Sequence, residues 1–376
     1  MQFGVPELED LPDVDGKSVL VRVDFNVPIR DGVIADDLRI RAALPTLSWL
    51  QDRGARVTAC THLGRPKGKP DPAYSVAPVR ARLAELAPGV ELLENLRYSP
   101  GEEANDAAFV AELVAGHDIY VNDAFGASHR AHASIVGPPQ TLPSAAGRLL
   151  AKEVEVLLGL RNDPTRPFVA ITGGSKVSDK LGVIRALLDV ADQLIIGGGM
   201  CFTFLGAMGH GVGSSLFEPD QVDNCKALLD EHGDRLHLPT DIVGLGPGGK
   251  LFEPEAGGEV RHFGQSLPDG WMGVDIGPGT AAAFGDIIRD SATILWNGPM
   301  GVFEDPRFEA GTRAVGEAVA DSRGFSVIGG GDSAAAVAQF GLSDRVGHIS
   351  TGGGASLELI EEGDLPGLEA LRSGAA

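Results

Sequence analysis

Two lysines near the middle of the chain follow a glycine pair and a short apolar run. The run 168–172 is rich in β-branched residues and predicts a buried strand, after which the glycines at 173 and 174 would let the backbone turn tightly and expose its N–H groups. Ser175 would cap a following helix, whose first turns would carry Lys176 and Lys180. Two ammonium groups and free amides at the positive end of a helix suit a polyanion such as a chain of phosphates. A turn with two solvated surface lysines is the alternative for this stretch taken alone.

Basic residues in the first half of the chain concentrate near the ends of predicted strands. Short strands are predicted at 18–23, 56–60, 90–93 and 119–121, and a helix at 38–53. The polar and charged residues at these strand ends and at the helix start include Asp24, Asn26, Arg39, His62, Arg65, Arg97, Arg130 and His132. Because the carboxyl ends of parallel strands meet at one edge of a sheet, they predict a basic basin for a small, highly charged anion. Any single arginine could instead be a solvated surface side chain.

Glycines rather than arginines follow the predicted strands of the second half. Strands at 193–196, 271–275, 293–296, 325–328 and 347–350 each lead into a glycine-rich segment, which offers backbone amides to phosphate or adenine. Asp332 follows one such segment, where a carboxylate could hold Mg²⁺ bridging nucleotide phosphates, cap a helix, or do both. Gly352 to Gly354 would open the last recognisable helix, a second candidate anion site.

The elements that must position these residues repeat as strand, glycine turn and helix. This repetition is typical of doubly wound α/β domains with mainly parallel sheets. A chain of 376 residues with 43% hydrophobic residues and 52 glycines is long enough for two such domains. An amphipathic helix at 145–160, with no strand pattern and with a Pro-rich break after it, predicts a junction. We therefore expect an N-terminal domain at 1–165 and a C-terminal domain at 166–361.

Composition limits the partners and the compartment. A formal net charge of −21 argues against nucleic acid or an anionic membrane as a partner. No apolar run reaches the length of about 18 residues that a membrane span needs, and the acidic N-terminus lacks a signal pattern. The cysteines at 60, 201 and 225 fit no metal spacing and are expected to be reduced, mostly buried thiols. These features predict a cytoplasmic protein.

Eight longer motifs, in order along essentially the whole chain, make the sequence resemble the phosphoglycerate kinase family. They are RVDFNVP (22–28), HLGRP (62–66), LLENLRY (92–98), VNDAFGASHRAHAS (121–134), TGGSKVSDK (172–180), WNGPMGVFE (296–304), GGGDS (329–333) and STGGGASLE (350–358). The resemblance implies reversible transfer of the acyl phosphate of 1,3-bisphosphoglycerate to MgADP, giving 3-phosphoglycerate and MgATP, a step of glycolysis. It also implies two domains that close on a ligand cleft between them and a tail at 362–376 that packs back on the first domain. We expect a monomer.

The resemblance also implies residue roles, position by position. The implied ligands of 3-phosphoglycerate are Asp24, Asn26, Arg39, His62, Arg65, Arg97 and Arg130, with His132 close by. The implied nucleotide ligands are Gly174, Lys176, Lys180, Gly273, Asn297, Glu304, Gly330, Gly331, Asp332 and Ser333, with Asp332 toward Mg²⁺. Arg39, Lys176 and the amides of Gly352 and Gly353 would stabilise charge on the moving phosphoryl group.

Other interpretations remain open from the sequence. One is a different kinase of small carboxylates on a two-domain α/β frame. Another is a nicotinamide dehydrogenase, since 329–334 matches the GxGxxA pattern, although the acidic residue expected about twenty positions later is not convincingly present. A third is a metal site at His129 and His132, which lack a third ligand at a fitting spacing.

Overall fold

The computed structural model describes residues 2–374, and the chain forms two compact units. The first is built from the chain up to Gly159 and again from Gly354 onward, and the second from Leu160 to Gly353. The domain boundaries expected after residues 165 and 361 are therefore a few residues C-terminal to the observed boundaries. The first observed boundary falls inside a helix, and the Pro-rich break comes after that helix. The second observed boundary immediately precedes a helix that belongs to the first unit.

The first unit contains a parallel sheet. Its strands are β1 (Ser18–Val23), β2 (Ile29–Arg30), β3 (Val33–Ile34), β4 (Arg56–Cys60), β5 (Glu91–Leu92), β6 (Ile119–Asp123) and β7 (Ser144–Ala146). The parallel sheet has the order β5-β4-β1-β6-β7, and β2 and β3 form a separate antiparallel hairpin. The helices are α1 (Leu38–Gln51), α2 (Ala77–Leu86), α3 (Pro100–Glu103), α4 (Ala107–Val114), α5 (Ala133–Val136) and α6 (Arg148–Asn162). Strands β1 and β6 are buried almost throughout, as expected for central strands covered on both faces.

The second unit contains a parallel sheet and a smaller antiparallel one. Its strands are β8 (Phe168–Thr172), β9 (Gln193–Ile196), β10 (Leu236–His237), β11 (Ile242–Leu245), β12 (Val260–Phe263), β13 (Met272–Ile276), β14 (Thr293–Asn297), β15 (Phe325–Gly329) and β16 (His348–Ile349). The parallel order is β10-β9-β8-β14-β15-β16, and the antiparallel order is β12-β11-β13. The helices are α7 (Leu181–Val190), α8 (Cys201–Ala207), α9 (Val222–His232), α10 (Pro278–Arg289), α11 (Ala310–Asp321) and α12 (Gly331–Gln339). The chain then returns to the first unit with α13 (Gly354–Glu362) and α14 (Pro366–Ser373).

The predicted α/β class with mainly parallel sheets is confirmed, and the local exceptions have identifiable causes. The helix expected from Ala145 begins at Arg148, because 144–146 pairs with β6 as β7. Strand β13 belongs to the antiparallel sheet, since a strand followed by glycines has the same local pattern in either kind of sheet. Helix α14 follows α13, which the sequence had suggested as the last helix.

Two further expectations concern the thiols and the membrane. Cys60, Cys201 and Cys225 are free and buried, as predicted. Between residues 2 and 374, no helix combines the length and the apolar character that crossing a bilayer requires.

Candidate active site

The carboxyl end of β1 carries a partly buried ion pair. Asp24 follows β1 directly, and Arg39 of α1 donates from Nη1 to its Oδ2 at 2.7 Å. Burial by itself would raise the pKa of Asp24, but the positive charge of Arg39, with a smaller effect of Arg22, opposes burial, and the pKa is lowered. The Arg39 side chain is still 34% exposed. It can therefore contact an anion while the Asp24 carboxylate orients it.

The loop after β4 makes hydrogen bonds to Asn26 and to Arg97. Asn26 accepts a hydrogen bond at Oδ1 from the Gly64 N–H at 2.9 Å, and Arg97 donates from Nη1 to the Gly64 carbonyl at 2.9 Å. The Arg97 Nε also lies 3.2 Å from the Glu103 carboxylate. His62, on the same loop, is 6% exposed, and burial lowers its pKa to about 3. These contacts hold the loop beside the end of β1.

The segment after β6 completes the basic cluster. Arg130 is exposed and donates from Nε to His129 Nε2 at 2.9 Å, and His132 Nδ1 lies 4.0 Å from Glu102 Oε1. His129 is close enough to Asp24 and Arg97 for their charges to affect its pKa, which burial lowers. Burial, and more weakly the positive charge of Arg65, lowers the pKa of Arg97. The first unit therefore gathers the predicted side chains at the carboxyl end of its sheet.

The alternative of a metal site at His129 and His132 finds no support in this cluster. No group of three or more His, Cys, Asp or Glu side chains within residues 2–374 is arranged to hold a metal ion. His129 is instead engaged by its neighbour Arg130.

In the second unit, the lysine segment differs from the sequence prediction. Helix α7 begins only at Leu181, so Lys176 and Lys180 lie in a turn before the helix. Gly174 has a φ of 127°, which favours glycine and directs the chain away from β8. The Glu218 carboxylate accepts hydrogen bonds from the Ser178 N–H at 3.1 Å and the Ser178 hydroxyl at 2.6 Å. An acidic side chain, not a helix, therefore organises this turn.

Lys180 is turned toward the carboxyl end of β14. Its Nζ donates to Asn297 Oδ1 at 2.5 Å and lies 3.3 Å from the Asn297 carbonyl. Burial lowers the pKa of Lys180 to about 8, while the negative charge of Asp332 acts in the opposite direction. Lys180 is thus a desolvated cation beside a carboxylate. A bound anion would strengthen its charged form.

A polar cavity of about 190 Å³ surrounds these groups. It is lined by Gly173, Gly174, Ser175, Lys176, Asp179, Lys180, Asn297, Gly298, Pro299, Gly330, Gly331, Asp332 and Ser333. Asp332 lies in the first turn of α12, where Gly330 is the N-cap, so the interpretation of Asp332 as the cap is wrong. The buried Ser333 hydroxyl already accepts from the Gly298 N–H at 2.5 Å. Ser333 therefore shapes the cavity wall by holding Gly298.

A larger and mainly apolar cavity of about 400 Å³ adjoins the polar one. Its lining includes the predicted Gly273 and Glu304, and the two cavities share Gly174, Ser175, Pro299 and Asp332. A Cβ atom on Gly273 would lie 2.0 Å from the Phe202 ring, so only glycine leaves this wall intact. Sequence reasoning missed the apolar wall itself, formed by Phe202, Leu216, Leu251, Phe252, Met272, Met300 and Val302. These residues lie on helix α8, strand β13 and separate loops, and no local pattern joins them.

The glycines at 352 and 353 precede α13 without belonging to it. The helix begins at Gly354, and the Gly352 N–H donates to Ser350 Oγ at 3.2 Å. A Cβ atom on Gly353 would meet no atom within 4 Å. The backbone at Gly353 is therefore open to approach.

Each unit has a distinct kind of site. The first has arginines and histidines at strand ends, and the second has a lysine-lined polar cavity beside an apolar one. Together they define a two-part α/β protein suited to a small anion and to a nucleotide.

Comparison with known proteins identifies the family. The family model described as phosphoglycerate kinase matches residues 8–91 and 87–363. The phosphoglycerate kinase of Rubrobacter xylanophilus is 52% identical over 96% of the chain and 96% of that relative, and that of Frankia alni is 52% identical over 97% and 99%. The solved structure of phosphoglycerate kinase from Coxiella burnetii has a TM-score of 0.87 at 36% identity, covering 98% of each chain. That from Pyrococcus horikoshii has a TM-score of 0.83 at 32% identity, covering 97% of this chain and 98% of the other.

The chain therefore belongs to the phosphoglycerate kinase family. The known function of this family is the glycolytic phosphoryl transfer between 1,3-bisphosphoglycerate and ADP. The predicted family and enzyme class (EC 2.7.2.3) are confirmed.

Proposed function

We propose that this chain interconverts 1,3-bisphosphoglycerate and MgADP with 3-phosphoglycerate and MgATP, using the two sets of residues described above. The observation that carries the proposal is the junction of the two cavities in the second unit. A polar cavity with two lysines suits phosphates, and the adjoining apolar cavity suits a nucleoside. The basic cluster of the first unit suits a molecule that carries both a carboxylate and a phosphate.

The first unit would bind the glycerate substrate. The proposed ligands are Asp24, Asn26, Arg39, His62, Arg65, Arg97 and Arg130, with His132 beside them. Arginines suit this task because a guanidinium binds a carboxylate or phosphate with two parallel hydrogen bonds. Asp24 would orient the Arg39 guanidinium for the substrate through their 2.7 Å contact.

The second unit would bind the nucleotide. The proposed ligands are Gly174, Lys176, Lys180, Gly273, Asn297, Glu304, Gly330, Gly331, Asp332 and Ser333. The buried Asn297 Nδ2 has no hydrogen-bond partner among the described residues and lines the polar cavity, which supports a phosphate oxygen as its partner. Phosphoryl transfer requires mainly positioning and charge stabilisation. Arg39, Lys176 and the amide of Gly353 would supply the latter, whereas the Gly352 N–H expected to help already donates to Ser350 Oγ.

Magnesium would enter as part of the nucleotide substrate. Mg²⁺ in such sites is held by one or two carboxylates together with substrate phosphates, and Asp332 is a carboxylate on both cavities. The residues present therefore fit MgADP, with Asp332 toward the metal, which would neutralise phosphate charge when bound. A monomer in the cytoplasm is the proposed state of the enzyme.

The direct test is a coupled assay with 3-phosphoglycerate, ATP and Mg²⁺, alongside other small carboxylates and NADH. Turnover specific to 3-phosphoglycerate supports the proposal. Turnover of another carboxylate alone, or NADH binding without any kinase activity, would favour the alternatives and refute it.

Asp332→Asn tests the metal assignment. It retains the size of the side chain but removes the charge, so the Mg²⁺ concentration needed for half-maximal rate should rise about tenfold. Binding of 3-phosphoglycerate alone should not change. Asp344→Asn, an exposed aspartate in the same unit, is the control. An unchanged Mg²⁺ titration in Asp332→Asn would remove this residue from the metal site.

A further inference from the structure

A buried charged network surrounds Arg22 in the first unit. Arg22 and Glu102 are both 0% exposed. Arg22 donates from Nε to Ser134 Oγ at 2.8 Å and from Nη1 to the Val23 carbonyl at 2.5 Å. The N–H and hydroxyl of Ser134 donate to the Glu102 carboxylate at 2.9 and 2.6 Å. Ser134 therefore joins the two buried charges, and the guanidinium has one orientation.

The remaining Arg22 nitrogen faces a histidine of the basic cluster. Its Nη2 lies 3.1 Å from His62 Nδ1 and 3.9 Å from Glu102 Oε1. A guanidinium has only donors and does not lose its proton in a protein. His62 Nδ1 must therefore accept this hydrogen bond, and the proton of the neutral ring lies on Nε2.

Burial and three of the four charges that face His62 oppose its protonation. Arg22 of β1, Arg39 of α1 and Arg97, which follows β5, all disfavour an imidazolium, and Asp24 at the end of β1 favours it. Burial has the largest effect and lowers the pKa of His62 to about 3. The hydrogen-bond geometry and the burial thus agree on a neutral ring.

We propose that Arg22 is a positioning residue that holds His62 as the neutral Nε2–H tautomer, with Glu102 and Ser134 fixing Arg22 in place. The inference rests on the proposed role of His62 as a ligand of 3-phosphoglycerate. The ring then presents a hydrogen-bond donor of constant charge to an anionic substrate. An ordinary histidine would change its charge between about pH 5 and about pH 8.

The first test uses the unmodified protein. Nitrogen-15 NMR of labelled histidine side chains reports the protonation of each ring nitrogen, and loss of one signal set in His62→Gln assigns His62. We expect a protonated Nε2, an unprotonated Nδ1 and no titration from about pH 5 to about pH 8. A proton on Nδ1, or a titration midpoint inside that range, overturns the proposal.

The second test removes both buried charges together. Arg22→Gln/Glu102→Gln removes both charges, so no unpaired charge remains buried and the loss of folding stability is limited. We expect His62 to show both tautomers and the KM for 3-phosphoglycerate to rise about tenfold, with the KM for ATP unchanged. An unchanged His62 spectrum with an unchanged KM in the folded variant contradicts the positioning role. If this variant does not fold, the first test can still overturn the proposal by finding a proton on Nδ1 of His62.

A matched control is the double variant Arg148→Gln/Glu9→Gln. It removes an exposed arginine–glutamate pair of the same unit and should leave the His62 spectrum and both KM values unchanged. The substrate role is tested separately by adding 3-phosphoglycerate during NMR. If the His62 signals do not respond although the ring is the Nε2–H tautomer, the ligand assignment fails while the tautomer assignment stands.

Discussion

At the scale of single residues, the protonation states in the candidate site depend on the balance between nearby charges and burial. Lys180 and His62 are both desolvated, yet the lysine retains a pKa of about 8 whereas the histidine has one of about 3. Near neutral pH the lysine is therefore charged and the histidine neutral. In the proposed site, Lys180 would supply a cation for phosphates, and His62 would supply an uncharged donor.

The pKa of Lys180 predicts a pH dependence of nucleotide binding. Because phosphates favour the ammonium form, affinity should be highest below about pH 8 and should fall as the pH rises through that value. Calorimetric titration of ADP from about pH 7.5 to about pH 9.5 should show a fall of up to about tenfold per pH unit. In Lys180→Arg the side chain stays charged, so the profile should be flatter. A level profile for the unmodified protein would contradict the assignment of Lys180.

Lys176 and Arg39 are predicted to act mainly on the transferred group. Lys176→Ala and Arg39→Ala should each lower kcat by about a hundredfold to a thousandfold, with modest changes of KM. Arg97→Ala should instead raise the KM for 3-phosphoglycerate. Lys226→Ala, an exposed lysine of α9, is the control and should match the unmodified enzyme. A near-normal kcat in Lys176→Ala would show that this lysine only adds positive charge to the surface.

At the scale of elements, the turn before α7 depends on Glu218. Its carboxylate binds Ser178, its own N–H donates to Thr203 Oγ1 of α8 at 3.2 Å, and Lys176 contributes to the lowering of its pKa. Glu218 therefore connects the turn that carries Lys176 to α8, although it lies about forty positions from Ser178 in the sequence. The spacing of residues within the turn does not predict this contact with Glu218.

Glu218→Ala should lower kcat about tenfold, because the turn loses two hydrogen bonds to a charged acceptor. Glu218→Gln, which can still accept hydrogen bonds, should lose less. Binding of 3-phosphoglycerate, measured by itself, should be unchanged in both. Asp220→Ala, at a nearby exposed carboxylate, serves as the comparison. Equal activity in Glu218→Ala and Asp220→Ala would show that the turn keeps its position without Glu218.

At the scale of the whole molecule, the first unit is assembled from both ends of the chain. Helix α14 packs against α5, and the Gly367 N–H donates to the Ser128 carbonyl at 2.9 Å. The N-cap of α5 is His132, one of the proposed substrate residues. The C-terminal segment thus supports the segment that carries Arg130 and His132.

Leu368→Ala should therefore lower the stability of the protein and raise the KM for one of the two substrates. Leu368 is 0% exposed, and its truncation should lower the free energy of unfolding by about 3 kcal/mol. The KM for 3-phosphoglycerate should rise, whereas nucleotide affinity should be unchanged because its proposed ligands lie in the second unit. Val33→Ala, at a side chain that is 68% exposed, should change neither quantity. Thermal unfolding and substrate titrations decide the outcome, and a loss of nucleotide affinity alone would contradict the argument.

Much of the fold and of the site was predictable because it depends on local patterns. Strands β1, β4 and β9 have the predicted bounds, since short β-branched runs followed by polar or glycine residues indicate buried parallel strands. The rule that such strands end at one edge correctly predicted that Asp24, Arg39, His62 and Arg97 would gather.

The features that the sequence did not predict depend on contacts between distant parts of the chain, which only the tertiary structure shows. Strand β7 exists because 144–146 pairs with β6, and β13 is antiparallel because it pairs with β11. The turn before α7 forms around Glu218, and the protonated nitrogen of His62 follows from Arg22. Hydrophobic periodicity and turn residues determine an element from its own segment. Pairing, capping and protonation depend on partners tens of residues away, which the chain brings close only when it folds.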